Sequence, residues 1–267
     1  MLKCKGNGVI IMEKKRIVVK VGTSTLTHEN GKINIRQMEK LVRVVSELVN
    51  CGNEVVLVSS GAVGAGVGKL ALPNKPEEIR KKQALAAIGQ ASLMSTYDRF
   101  FAEYGYNAAQ VLLTKYVFDN EQKYNNTKNA FMTMLEYGVI PIVNENDVVS
   151  TEELEFGDND TLSAYVSVLI DADLLVILSD IDGLYDSNPS KNPDAKIIPV
   201  VEKIDDSILA VAGGEGTRRG TGGMKTKLHA AEIVMKSGID MIIANGGRIE
   251  NLYDIIEGKE IGTLFKA

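Results

Sequence analysis

Short apolar runs alternate with longer amphipathic stretches along the whole chain, and that rhythm leaves few folds open. Runs at 17–21, 55–58, 109–113, 139–143, 174–178 and 240–244 have the length and β-branched content of buried strands. Between the first two, Ile35, Met38, Leu41, Val42, Val45 and Leu48 recur at helical spacing, and Cys51-Gly52 closes that segment. Helices are expected likewise at about 125–136, 158–170 and 224–236. Strand–helix–strand order of this kind predicts an α/β protein, a three-layer αβα sandwich around an open, mainly parallel sheet. The stretch 83–97 carries no charge and is rich in alanine, so it is expected to be a helix buried on most of its surface, against the sheet and a neighbouring helix or subunit. The segment 181–208, with Pro189, Pro193 and Pro199, is expected to hold irregular hairpins.

No linker or repeat divides the chain, which predicts one domain over 14–267 with lobes at about 14–171 and 172–267. Met12 followed by Glu13-Lys14-Lys15-Arg16 reads as a natural start, making 1–13 an N-terminal extension. At 267 residues, with 45% hydrophobic and 24% charged side chains, the chain can bury a large core. A net charge of −5 argues against a nucleic-acid surface as the main partner. Cys4 and Cys51 are too few for a disulfide scaffold and form no C-x-x-C, which fits a reducing cytoplasm. No stretch approaches the ~20 apolar residues of a membrane helix.

Chemistry concentrates where strands end. Lys20-Val21-Gly22-Thr23-Ser24 closes the first run, at the edge where open α/β sheets place ligands. Ser59-Ser60-Gly61-Ala62 closes the second and leads into further glycines. There Gly66-Val67-Gly68-Lys69-Leu70-Ala71 matches the alanine variant of the dinucleotide fingerprint. It begins well past the strand, and no acidic strand end follows it, so the better reading is close backbone approach to a ligand or another helix. Asn144-Glu145-Asn146-Asp147 would be poor core material and faces a site or solvent. In Phe156-Gly157-Asp158-Asn159-Asp160, the acidic residues either cap a helix or ligate a cation and position lysines. Ser179-Asp180-Ile181-Asp182-Gly183-Leu184-Tyr185 is half a calcium loop without the later ligands. Six glycines in 213–223 precede Lys225 and Lys227, as in a loop closing on a helix N-terminus. His28 and His229 are the only histidines and neither lies near a G-x-S-x-G, which argues against triad hydrolase chemistry, and no zinc-hydrolase or protein-kinase motif is present.

Taken in order, these segments resemble the amino-acid kinase family from about Lys14 onward, most of all its glutamate-phosphorylating branch. The resemblance implies transfer of a phosphoryl group from ATP to the γ-carboxylate of L-glutamate, giving glutamyl 5-phosphate for proline synthesis. Lys20 and Lys227 would contact the moving phosphoryl group, with Asp160 orienting them. Ser60, Gly61, Asp147 and Asn159 would hold glutamate in the first lobe. In the second lobe Ser179, Asp180, Thr221, Gly222, Gly223, Met224, Lys225 and Thr226 would bind ATP together with Lys20 and Lys227. Mg²⁺ would be carried mainly by the ATP phosphates rather than by a protein metal site. The resemblance also implies a cytoplasmic homo-oligomer, proline as a feedback inhibitor and glutamyl phosphate reductase as product acceptor. Position 179 is Ser where the family pattern has Thr, which keeps the hydroxyl. Many members continue into a PUA-type domain, which this chain is expected to lack. Acetylglutamate kinase and aspartokinase types, or a non-catalytic nucleotide or amino-acid sensor, are the alternatives.

The residues suit that chemistry on their own terms. A side-chain carboxylate with a pKa of ~4.3 is ionised at neutral pH and needs no general base. The difficulty is bringing an anion up to a polyphosphate, which lysines, Mg²⁺ and backbone N–H groups relieve.

Overall fold

The computed structural model describes residues 14–150, 156, 158–189, 191–211 and 223–267. The expected extension 1–13, and the positions Gly157, Thr221 and Gly222, lie outside the described residues. In chain order the elements are β1 (Arg16–Val21), α1 (Thr23–Leu26), α2 (Ile35–Asn50), β2 (Glu54–Ser59), α3 (Ala62–Lys69), α4 (Ile79–Glu103), β3 (Ala108–Leu113), α5 (Glu121–Glu136), β4 (Ile140–Glu145), α6 (Asn159–Leu169), β5 (Leu174–Ser179), β6 (Val200–Val201), α7 (Asp206–Val211), α8 (Met224–Lys236), β7 (Asp240–Asn245), α9 (Asn251–Ile256) and β8 (Thr263–Phe265).

β1 shows why the layers form. Its side chains alternate between two faces, so Ile17, Val19 and Val21 join one core and Val18 joins the other. The strand is paired in parallel on both edges, Val19 opposite Leu57 of β2 and Val176 of β5. A strand in that position must be apolar on both faces, and each fully buried aliphatic side chain there is worth ~1.5–3 kcal/mol. Lys20 breaks the pattern: it lies on the Val18 face at the carboxyl end of the strand and is 8% exposed. A buried ammonium on a central strand requires a paired anion.

The sheet order is β3-β4-β2-β1-β5-β7-β8-β6, parallel except where β7 meets β8. α2, α4 and α9 cover one face through residues such as Leu41, Leu93 and Leu252. α5, α6 and α8 cover the other through Phe131, Leu162 and Leu228. After β1 the chain builds outward through β2 and β4, then returns to place β5 on the opposite side of β1. That reversal opens a crevice at the carboxyl ends of β2, β1 and β5, the switch point at which open α/β sheets bind ligands.

Several expectations change in detail. α3 forms where the sequence was read only as a glycine-rich approach. A Cβ on Gly66 would stand 2.1 Å from the Leu85 carbonyl oxygen, and one on Gly89 1.8 Å from that of Ala62. Glycine therefore lets α3 and α4 cross with backbones touching, and the dinucleotide-like glycines lie inside a helix rather than at a strand-to-helix turn. The helix expected at 83–97 runs longer, over Ile79–Glu103, and buries Leu85, Ala86, Gly89, Gln90, Leu93 and Tyr97. Ala84, Ala87, Ala91 and Ser95 form an exposed stripe, because alanine there continues onto the face turned from the sheet. Among the described residues of 181–208 the hairpins reduce to one antiparallel bridge, Tyr185 with Ile197, and the short β6, which pairs in parallel with β8.

Candidate active site

Three side chains from three elements meet under the crevice. Asp160, the second residue of α6, is fully buried between Lys20 of β1 and Lys227 of α8. Lys20 Nζ lies 2.6 Å from Oδ1, and Lys227 Nζ donates to Oδ2 at 3.0 Å. The α6 N-terminus adds the positive end of its dipole. Burial alone pushes the Asp160 carboxyl pKa up, but the charges of Lys20 and Lys227 outweigh it and hold the group below the usual carboxylate range. Thr226 adds a donor: its hydroxyl is 3.2 Å from Asp160 Oδ2 and 2.8 Å from the Gly223 carbonyl oxygen at the α8 N-terminus. Two lysines on one carboxylate leave a net positive charge at the strand ends.

Beside this cluster lies an open cleft of about 470 Å³. Ser60 and Gly61 form its wall at the β2 end, Gly61 in the left-handed conformation (φ 100°) that turns the chain into α3. Asn159 bridges this end: its Nδ2 donates to Ser60 Oγ at 2.8 Å and to Asn144 Oδ1 at 2.9 Å. Asn144 in turn donates to Gln90 Oε1 of α4 at 3.1 Å. Glu145 is held by Ser150 Oγ at 2.8 Å and the Phe156 N–H at 3.3 Å, which folds the loop after β4 so that Asp147 reaches the cleft. Asp158 caps α6 through Oδ1, which accepts from the Thr161 N–H at 3.0 Å. Its other oxygen, Oδ2, is buried without a hydrogen-bond partner among the described residues.

Thus Lys20, Asp160 and Lys227 form one cluster, and Ser60, Gly61, Asp147 and Asn159 line one adjoining cleft. Ser179 sits at the end of β5, buried, its hydroxyl donating to the exposed Asp180 at 3.1 Å. Gly223 precedes α8 without a side-chain cap, so among the described residues no capping side chain takes the first N–H groups of that helix, from Met224 and Lys225. Such an end attracts an anion. Thr226, one of the expected nucleotide contacts, has its hydroxyl directed at Asp160. Sequence reasoning passed over Gln90 and the cleft-lining Lys75 and Lys82; each lay in a stretch without a motif, and only the packing of α4 against α3 brings them to the site. Both histidines are exposed. Among the described residues no group of three or more His, Cys, Asp or Glu could hold a metal ion, and no helix is long and apolar enough to cross a membrane.

Known proteins resemble this chain in sequence and in fold. The amino acid kinase family matches residues 15–245. A glutamate 5-kinase of Clostridium perfringens is 58% identical over 261 residues, covering 96% of this chain and 97% of that protein. One of Caldanaerobacter subterraneus is 56% identical, covering 94% of this chain and 67% of that protein. Among solved structures, the UMP kinase of Bacillus anthracis superposes with a TM-score of 0.65 at 15% identity, covering 94% of this chain and 96% of the other. An isopentenyl phosphate kinase superposes with 0.66 at 18% identity, covering 94% and 100%. At such low identity these two share the fold alone. With its eight-stranded, mainly parallel sheet between two helical layers, the chain belongs to the amino acid kinase family and, within it, to the glutamate 5-kinase group.

Proposed function

We propose that this protein transfers the γ-phosphoryl group of ATP to the γ-carboxylate of L-glutamate, the first step of proline synthesis. The observation that carries the reading is the buried Lys20–Asp160–Lys227 cluster opening beside a cleft lined by acid and amide side chains. A γ-carboxylate oxygen attacks the γ-phosphorus, the bond to the β,γ-bridging oxygen breaks, and that oxygen leaves with the electron pair on ADP. No proton moves, since the carboxylate is already ionised, and the site needs no histidine. Lys20 and Lys227 stabilise the charge on the transferring oxygens, while Asp160 keeps both ammonium groups aimed. The uncapped α8 N-terminus at Gly223, Met224 and Lys225, with Ser179 and Asp180, takes the nucleotide. Mg²⁺ enters as part of the MgATP substrate, on the phosphates.

In the cleft, Ser60, Gly61 and Asn159 hold the γ-carboxylate end near the lysines. Asp147 meets the α-ammonium. Asp147→Ala is expected to raise the glutamate KM by roughly tenfold or more, the cost of losing a charge-assisted hydrogen bond, with kcat changed much less. Steady-state kinetics at saturating ATP will read this, and an unchanged KM would move the ammonium site elsewhere. Cytoplasmic residence, homo-oligomer formation, proline inhibition and hand-over of product to glutamyl phosphate reductase belong to the same proposal.

The direct test uses the product's chemistry. An acyl phosphate reacts with hydroxylamine to give a hydroxamate. Incubation with glutamate, MgATP and hydroxylamine is expected to yield glutamyl hydroxamate in step with ADP. Aspartate, acetylglutamate, carbamate and UMP should not support ADP release at comparable rates. ADP release with one of those acceptors and none with glutamate would overturn the assignment.

A further inference from the structure

Glutamate brings two carboxylates to the cleft, and the cluster at the strand ends accounts for only one. The cleft's two ends differ. Ser60 and Asn159 mark the end beside the catalytic lysines, because the Ser60 N–H is bonded to the Val21 carbonyl and Asn159 adjoins Asp160 in α6. The other end is built from the start of α4 and the loop after β4, tied together where Gln83 Nε2 donates to the Ser150 carbonyl at 3.3 Å. An amino acid with its γ-carboxylate at the first end presents its α-carboxylate toward the second.

That second end is positive by design of the helix start. Arg80, Lys81 and Lys82 follow one another in the opening turn of α4, which contains no acidic residue. The positive end of the helix dipole faces the same way, which disfavours cations there unless an anion is near. Arg80 and Lys81 are both exposed and both pair with Glu78, outside the cleft. Lys82 does neither. It is half-buried, lines the cleft beside Gln83, and its ammonium has no ion-pair or hydrogen-bond partner among the described residues. Lys75 also lines the cleft but from an exposed loop position. Of the other carboxylates around the cleft, Glu145 accepts from Ser150 and Phe156, and Asp158 caps α6 through Oδ1.

We infer that Lys82 is a substrate-specificity residue that binds the α-carboxylate of the acceptor amino acid. With Asp147 for the ammonium, it makes the far end of the cleft a two-point reader of an α-amino acid group. This rests on the glutamate reading above and goes beyond it, since it selects among acceptors that carry the same reacting γ-carboxylate.

The test compares L-glutamate with 4-aminobutyrate, which keeps the γ-carboxylate and the amine but lacks the α-carboxylate. For Lys82→Met the glutamate KM is expected to rise about ten- to a hundredfold with kcat within a few fold, the range of a lost charged hydrogen bond. The inhibition constant of 4-aminobutyrate as a competitor should shift far less, so the preference for glutamate over it shrinks by about tenfold or more. Lys82→Arg should restore most of the preference. Lys82→Gln, closer in shape and polarity, serves if Lys82→Met fails to fold, and thermal unfolding checks both. A KM unchanged in Lys82→Met, or equal losses for both compounds that Arg does not rescue, overturns the role of Lys82. A wild-type protein that forms hydroxamate from another acceptor and not from glutamate overturns the glutamate reading instead.

Discussion

Lys227→Ala is expected to lower the turnover number by roughly a hundredfold or more while the protein stays folded. The magnitude is that of removing one preorganised donor from a developing anionic charge, of order 10²–10³ in kcat. Lys227 is 4% exposed, so its ammonium acts in a site from which water is largely excluded and where a fixed charge counts for more than in solvent. The expectation that the fold survives has its own physical ground. Removing one member of a buried ion pair is destructive when it strands the other charge, but Asp160 keeps Lys20 at 2.6 Å. The substitution therefore separates the phosphoryl-transfer role of Lys227 from its structural one. The readouts are the hydroxamate rate, the KM for MgATP and the thermal unfolding midpoint. Activity within a few fold of wild type would remove Lys227 from the chemistry. A collapsed midpoint would mean that Lys20 alone cannot neutralise Asp160.

The sequence made the sheet legible because central parallel strands must be apolar on both faces, and runs such as 174–178 have no other good use. Amphipathic helices were equally plain, α2 through its Met38–Leu41–Val45–Leu48 stripe and α8 over its whole length. What escaped was set by tertiary contact. α3 holds three glycines, poor helix formers, and exists because Gly66 and Gly89 let two backbones touch. The exposed stripe at Ala84, Ala87, Ala91 and Ser95 on α4 also escaped, because alanine is silent about which side packs on the sheet. β8 is three residues long and pairs with strands on both sides, which no local pattern announces. The site was legible as segments at strand ends but not as a geometry. That Lys20 and Lys227 share one carboxylate, and that Lys82 turns into the cleft while Arg80 and Lys81 turn out, follows from how three layers meet.

The largest loss of stability is expected from Asp160→Ala. Here two ammonium groups, each more than nine-tenths buried, would face one site with no anion between them. Breaking a buried ion pair from one side costs about 3–5 kcal/mol, and repulsion between the stranded lysines pushes toward the upper end. Turnover should fall with it, since neither lysine keeps its aim. Asp160→Asn preserves shape and hydrogen bonding, so it should be the better folded of the two and still lose the neutralising charge. Acid behaviour supplies an independent reading. The Asp160 carboxyl titrates below its unfolded value of ~3.9, because Lys20 and Lys227 outweigh the opposing effect of burial. Its contribution to stability is therefore complete above that pH and is lost as the pH falls further, through the folded-state value. Denaturant titrations of wild type and Asp160→Asn at a series of pH values should show the variant less stable at neutrality, by a constant margin between about pH 5 and 8. The two curves should converge below about pH 4, where wild type gives up what the variant never had. Parallel curves through the acid range would mean that Asp160 does not carry its charge into the folded core, and the lysine pair would need another anion.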